Sequence, residues 1–241
     1  MALAGGGAVA IWHDIAPEGR AEFYAWHGRE HMPERLAIPG FRRGRRYIAV
    51  NGAPEFFNLY ETATTQTVKG PDYLARLNAP TPWTIATVRH FRAVARSLCE
   101  VVTTSGRGEG GLIATFRYAV DDTMAHRHRA RMATVVEGLA DRPGIAGAHF
   151  LVADIAASAV ETAERRARPE RNVVPGWIVL VEGWDDQAAF IEWAQRFARD
   201  AAFGDASAGP DLAVYRLQNS RDRLSEAWQS KLLPGDEAPV A

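Results

Sequence analysis

The chain has 241 residues, 47% of them hydrophobic and 24% charged, enough to bury two small cores or one double-sized core. Its 28 lysines and arginines nearly cancel 29 aspartates and glutamates, so no bulk charge draws it to nucleic acid or an anionic membrane. The single cysteine, Cys99, excludes an intramolecular disulfide framework and fits a reducing compartment. No apolar run reaches membrane-spanning length and the N-terminus lacks the basic start of a secretory signal, so a cytoplasmic protein is expected.

In chain order, residues 8–15 read as a strand, and Pro17 with Glu18 starts a helix that runs to about Met32. There Pro33 interrupts the helix or begins another short turn. Pro39-Gly40 turns into a strand at 41–50, Asn51-Gly52 marks a hairpin, and 55–62 returns. A broken helical region at 63–78 and a Pro80-Thr81-Pro82-Trp83 loop lead to a strand-like run from Thr87 to about Val102. After the glycine-rich stretch Ser105–Gly111 the order recurs: strand 112–120, helix 122–140, strands 145–153 and 177–184, helix 185–202, strand 211–218. An insert at 154–174 suits a short exposed helix or a mobile loop.

This recurrence is an internal duplication. The two Pro-Gly pairs, Pro39-Gly40 and Pro143-Gly144, fix a shift of about 104 residues. Each half reads βαββαβ, a ferredoxin-like unit whose sheet has one bare face, and the simplest cover for that face is the duplicate. The expected fold is α+β: two antiparallel sheets packed face to face as an α+β barrel. Residues 1–104 form the first half, 105–111 the linker, 112–231 the second half and 232–241 a disordered tail.

The arrangement resembles the dimeric α+β barrel superfamily. The run Tyr24-Ala25-Trp26-His27-Gly28-Arg29-Glu30-His31-Met32-Pro33, continuing to Pro39-Gly40, is similar to its EthD-like branch, in which an aromatic-rich first helix carries a histidine, then His-x-Pro, then a Pro-Gly turn. The resemblance implies a small-molecule enzyme whose site lies between helix and sheet, of a kind that includes isomerases, cyclases, lyases and monooxygenases. Because some tandem ferredoxin-like proteins of this size bind haem through a histidine, haem is an alternative. Self-association into a homodimer is a weaker expectation.

On a helix His27 and His31 share a face, with Glu30 beside it. A carboxylate next to an imidazole orients the ring and raises its basicity, so His31, His27 and Glu30 are the candidate catalytic group. The shift places Arg131, Thr134 and Val135 opposite His27, Glu30 and His31. The polar set is absent from the second copy, which favours function over packing. The string His27-Gly28-Arg29-Glu30-His31 also matches an inverted zinc-protease signature. Zinc needs a third protein ligand, however, and no second feature of those enzymes appears. No metal is therefore assigned, and a divalent metal on His27 and His31 stays a minor alternative.

Strand alternation sends Arg43, Arg45 and Tyr47 to one face of their strand and Arg46 and Ile48 to the other. Arg46 is expected to hold a substrate carboxylate or phenolate; the other arginines are expected to pair with Glu30, Glu34 or Glu61. Asn58 and Tyr60 share a face with Phe56, where the second copy has Val179 and Val181 opposite them. Trp12 and Trp83 are expected apolar walls of the pocket. His126 and His128 are expected to be exposed. These residues point to a cofactor-independent enzyme that moves a proton on a hydrophobic, aromatic or lactone-like acid. A non-catalytic small-ligand binder is the alternative from another class.

Overall fold

A computed structural model describes residues 3–184 and 186–223. The expected tail, 232–241, lies outside the described residues. β1 (Gly7–Ile15) alternates strictly, with Ala8, Ala10 and Trp12 on one side and Val9 and Ile11 on the other. Pro17 opens a short 3₁₀ turn that leads into α1 (Arg20–Trp26), a π-helical segment (His27–His31) and α2 (Met32–Ala37). β2 (Phe41–Asn51) and β3 (Phe56–Thr62) form the expected hairpin; α3 (Pro71–Asn78), α4 (Pro82–Val88) and β4 (Phe91–Gly106) complete the half. The second half repeats the order with β5 (Leu112–Tyr118), α5 (Ala125–Leu139), β6 (Ile145–Ala153), α6 (Ile155–Ala159), α7 (Ala163–Arg166), β7 (Trp177–Gly183), α8 (Gln187–Phe197) and β8 (Asp211–Asp222).

All strand pairings are antiparallel, and the eight strands close in the order β1-β3-β2-β8-β5-β7-β6-β4. Each half contributes its four strands in the ferredoxin-like order, β4-β1-β3-β2 and β6-β7-β5-β8. The two sheets face each other, and the pairings β2–β8 and β4–β6 join their edges, so the barrel leaves no open strand edge. The fold is an α+β barrel made within one chain, with helices outside each half.

The strand alternation creates three cores. Inside the barrel Trp12, Tyr47, Phe57, Leu59, Ile178, Leu180 and Tyr215 interdigitate. Toward one end of the barrel the filling turns ionic: Arg45, fully buried, meets Glu61 at 2.9 Å and Glu182 at 2.9 Å, and His149 Nε2 lies 3.1 Å from Glu182 Oε1. Arg43 adds bonds to both oxygens of Glu61 at 2.8 and 2.7 Å. Glu61 is thus the arginine partner anticipated on this face. The outer layers pack α1 to α4 on the first half, around Phe23, Trp26 and Met32, and α5 and α8 on the second, around Phe116, Val136 and Phe190.

Of the two outcomes expected at Pro33 the structure has the second: the π segment ends at His31, and Pro33 sits in the first turn of the short helix α2, where its missing N–H costs nothing. Three local expectations are corrected. Residues 82–88 are helical, since Thr81 caps the turn by accepting from the Thr84 amide at 3.0 Å. The insert is neither simply exposed nor unstructured: α6 and α7 lie on the first half, where Glu164 and Ser158 are buried. His128 is fully buried, with Tyr118 Oη 3.0 Å from its Nε2, whereas His126 is exposed as expected. Among the described residues no helix is long and apolar enough to cross a membrane.

Candidate active site between helix and barrel wall

The first half assembles a buried polar group between the α1–α2 helix and the outer faces of β1 and β3. His27 and His31 come from the π-helical segment, which keeps both rings on the sheet side with centroids 5.8 Å apart. Segments with this looser winding recur at functional sites. Asn58 and Tyr60 rise from β3 as alternation requires, and Arg46 faces Asn58 across the β2–β3 ladder. Gly44, next to Tyr60 on β2, leaves room for the phenol: a Cβ there would meet the Tyr60 ring and Met32 Cγ at 3.1 Å.

The hydrogen bonds fix the tautomers. A guanidinium can only donate, so Arg46 Nη1, 3.4 Å from His27 Nδ1, makes that nitrogen the acceptor. His27 Nε2 then carries the proton and donates to Tyr60 Oη at 3.1 Å. The Tyr60 hydroxyl proton is left free for another acceptor. His13 follows the same logic: the Asn58 amide donates to its Nε2 at 2.9 Å, and its Nδ1 donates to the Asp14 carbonyl at 3.2 Å. Three polar atoms around one cavity then remain buried without a hydrogen-bond partner, His31 Nδ1, Asn58 Oδ1 and Arg168 Nε. Their residues line a space of about 10 Å³, together with Trp26, His27, Tyr60, Phe91 and Glu164. That is room for about one water molecule.

The chain's second half closes the site. Glu164 of α7 accepts from Arg35 of α2 and, at 3.0 Å, from Arg168. All three side chains are buried. Burial alone would raise the Glu164 carboxyl, but Arg35 and Arg168 hold it below the usual carboxylate range. Arg35 and Arg168 thereby stand as the nearest cations to His31. Desolvation by burial, reinforced by Arg35 and Arg168, pushes the His31 imidazolium well below its ordinary range; desolvation, His31 and Arg46 do the same to His27. Both rings are neutral at pH 7.

Of the residues singled out in the sequence, His27, His31, Asn58 and Tyr60 line the cavity, and Arg46 reaches it through His27. Three are placed elsewhere. Glu30 is turned toward α4, where Thr81 Oγ1 donates to it at 2.6 Å, because the wider π turn rotates it off the histidine face. Trp12 alternates to the barrel interior, stacks on Phe57 at 4.8 Å and donates to Thr115 at 3.2 Å. Trp83 lies on the outer side of α4 and donates to Glu22. His90 packs against Gly19 and stands 3.8 Å from Glu18, outside the cavity. Sequence reasoning missed His13, Arg35, Glu164 and Arg168. Only the unusual density of Glu and Arg in the insert signalled the last two.

The donors around this cavity are not arranged as a metal site. His27 has both ring nitrogens committed, and among the described residues no cluster of three or more His, Cys, Asp or Glu side chains is spaced to hold a metal ion. In the second half the equivalent layer holds Phe116, Val136, Val179 and Val181, with Val135 packed against them, beside a buried His128 that meets Tyr118 and Asp205.

No family model and no curated protein sequence matches the chain. Solved structures do. An anthrone oxidase-like protein superposes with a TM-score of 0.59 at 12% identity, over 90% of this chain and 92% of that one. A proposed monooxygenase from Fusobacterium nucleatum gives 0.54 at 8% identity, covering 92% and 96%. A mutant chlorite dismutase from Candidatus Nitrospira defluvii gives 0.51 at 7% identity, covering 90% and 92%. At these identities the likeness is one of fold, and it extends along nearly the whole chain.

Proposed function

We propose that this protein is an enzyme that removes a proton from a small, largely apolar substrate and stabilises the resulting anion, with His31 as the base. The observation that carries the reading is the set of unpartnered buried atoms, His31 Nδ1, Asn58 Oδ1 and Arg168 Nε, around one cavity beside a tyrosine whose proton is free. Buried polar groups are normally hydrogen-bonded, so these atoms call for a partner that a bound molecule would supply. The same cations that keep His31 neutral, Arg35 and Arg168, favour an anion formed next to it. Proton transfer from substrate to His31 thus converts a neutral pair into an ion pair inside a positive pocket, and Tyr60 supplies a hydrogen bond to the developing oxyanion. Arg46 and His27 orient that tyrosine. Asn58 holds the substrate by its amide oxygen.

Aromatic ketones acidic at carbon, which give delocalised anions, suit an aromatic pocket of Trp26 and Phe91, and the anthrone oxidase-like neighbour is in keeping with that class. Isomerisation, cyclisation, elimination or capture of the anion by dioxygen all begin from this step. Because the cavity holds about one water, α6 and α7 must shift to admit substrate.

The test is proton exchange at the acidic carbon of anthrone and related ketones in deuterated water, followed by NMR for the parent, His31→Gln and His31→Ala. Turnover is expected to fall roughly a hundredfold to ten-thousandfold in both variants while their thermal melts stay close to the parent. Parental exchange rates in either variant would remove His31 from the mechanism.

A further inference from the structure

A wide cavity lies away from the histidines, at one end of the barrel. It measures about 670 Å³, within the range of drug-sized ligand sites. Its frame is the end of β1 at Asp14, the β2–β3 hairpin at Ala53-Pro54, the start of β4 at Ala93–Ala95, the end of β5 at Arg117–Ala119, Asp211 of β8 and the extended segment Val173–Gly176. The lining is mainly small and apolar.

Its polar groups are unevenly used. Asp14 accepts from the Glu55 amide at 2.6 Å, Asp211 pairs with Arg117, and Glu170 accepts from the Ala93 amide at 2.8 Å. Every carboxylate therefore already has a protein donor. Donors are left over. Arg117, only 8% exposed, lies over the Trp12 ring at 5.1 Å and gives one guanidinium nitrogen to Ala53 O and Asp211, but its Nε has no partner. Arg171 on the rim makes no ion pair or hydrogen bond among the described residues. The wall is also held in an unfavourable backbone state: Ala93 has φ +50°, retained by its bond to Glu170.

From the apolar lining, the size, and the unpartnered Arg117 Nε and Arg171 guanidinium set among three carboxylates that each already have a protein donor, we infer a second binding site at the barrel mouth, for a small aromatic molecule carrying one anionic group. The rings lie against Val94, Val173 and Pro175, and the anion faces Arg117 and Arg171. This site shares no lining residue with the histidine cavity and does not depend on the activity proposed above.

The probe is 1-anilinonaphthalene-8-sulfonate, with the uncharged N-phenyl-1-naphthylamine as its counterpart, titrated by fluorescence and calorimetry into the full chain. One saturable site per chain is expected. Ala119→Trp and Val173→Trp, substitutions at exposed rim positions that fill the mouth, should abolish binding of both probes, with circular dichroism unchanged. Arg171→Gln should weaken the sulfonate at least threefold and leave the neutral probe alone. His31→Gln should bind both as the parent does. Absence of a saturable site, unchanged affinity in both tryptophan variants, equal effects of Arg171→Gln on the two probes, or loss of binding in His31→Gln would each overturn the inference.

Discussion

Acid should unfold this protein through the buried histidines of its first half, beginning just below pH 6.5. Burial is the main cause holding the His13 imidazolium down to about 3 from an ordinary value of 6.5, and it holds His27 and His31 well below that value too. In the unfolded chain all three rings titrate normally. Below pH 6.5 the unfolded state therefore binds protons that the native state refuses, and stability present above 6.5 is lost as the pH falls. A ring that stays unprotonated in the native state contributes about 1.4 kcal/mol per pH unit, so His13 alone removes about 2 kcal/mol between pH 6.5 and 5, and His27 and His31 add to the loss in the same direction. Against the stability of an ordinary domain, about 5–15 kcal/mol, that is a large fraction. Urea unfolding at a series of pH values from 8 to 5 measures the slope directly, and calorimetry at two buffer ionisation enthalpies counts protons taken up. His13→Gln should lower the slope by one proton, whatever it costs at pH 8. A parental slope of less than one proton between pH 6 and 5 would refute the reasoning, because it would mean the rings are protonated in the native state.

Further expectations follow from the same electrostatics. The kcat/KM of the proposed proton abstraction should stay flat from pH 8 to 6, since His31 is already neutral there; an acid limb centred near 6.5 would point to an exposed histidine instead. Arg45→Met leaves Glu182 inside the barrel with only His149 and the Gly110 amide, while Glu61 keeps Arg43, and should cost about 3–5 kcal/mol in urea unfolding at pH 8. Burial alone would raise the Glu182 carboxyl, but Arg45, His149 and the Gly110 amide hold it at about 2, and a loss below about 1 kcal/mol would show that water reaches it. Gly44→Ala pushes a methyl against the Tyr60 ring and should reduce turnover more than it lowers the melting temperature. Equal loss in both would mark Gly44 as a packing residue only.

The repeat made the architecture legible. Two copies of one pattern of strand, helix and turn signals, with faces of period two, led directly to two ferredoxin-like sheets facing each other, because a sheet with one bare apolar face must cover it. The same alternation placed Arg45 and Glu61 together on one side and Asn58 and Tyr60 on the other. Local signals carried His27 and His31 as a pair, since residues four apart on a helix stay neighbours even through a π turn.

What sequence could not decide was every contact made between distant segments. Glu30 looked like the partner of His31, yet one extra residue in the turn rotated it toward Thr81. Trp12 belonged to the barrel interior by alternation, but nothing local said which face of β1 the helix would cover. The insert read as surface, whereas its Glu164 and Arg168 complete a buried ion cluster with Arg35, 129 residues from Glu164 along the chain. Buried charges are tolerable only with partners, and those partners are chosen by how the two halves close into a barrel. That choice exists only once the chain has folded.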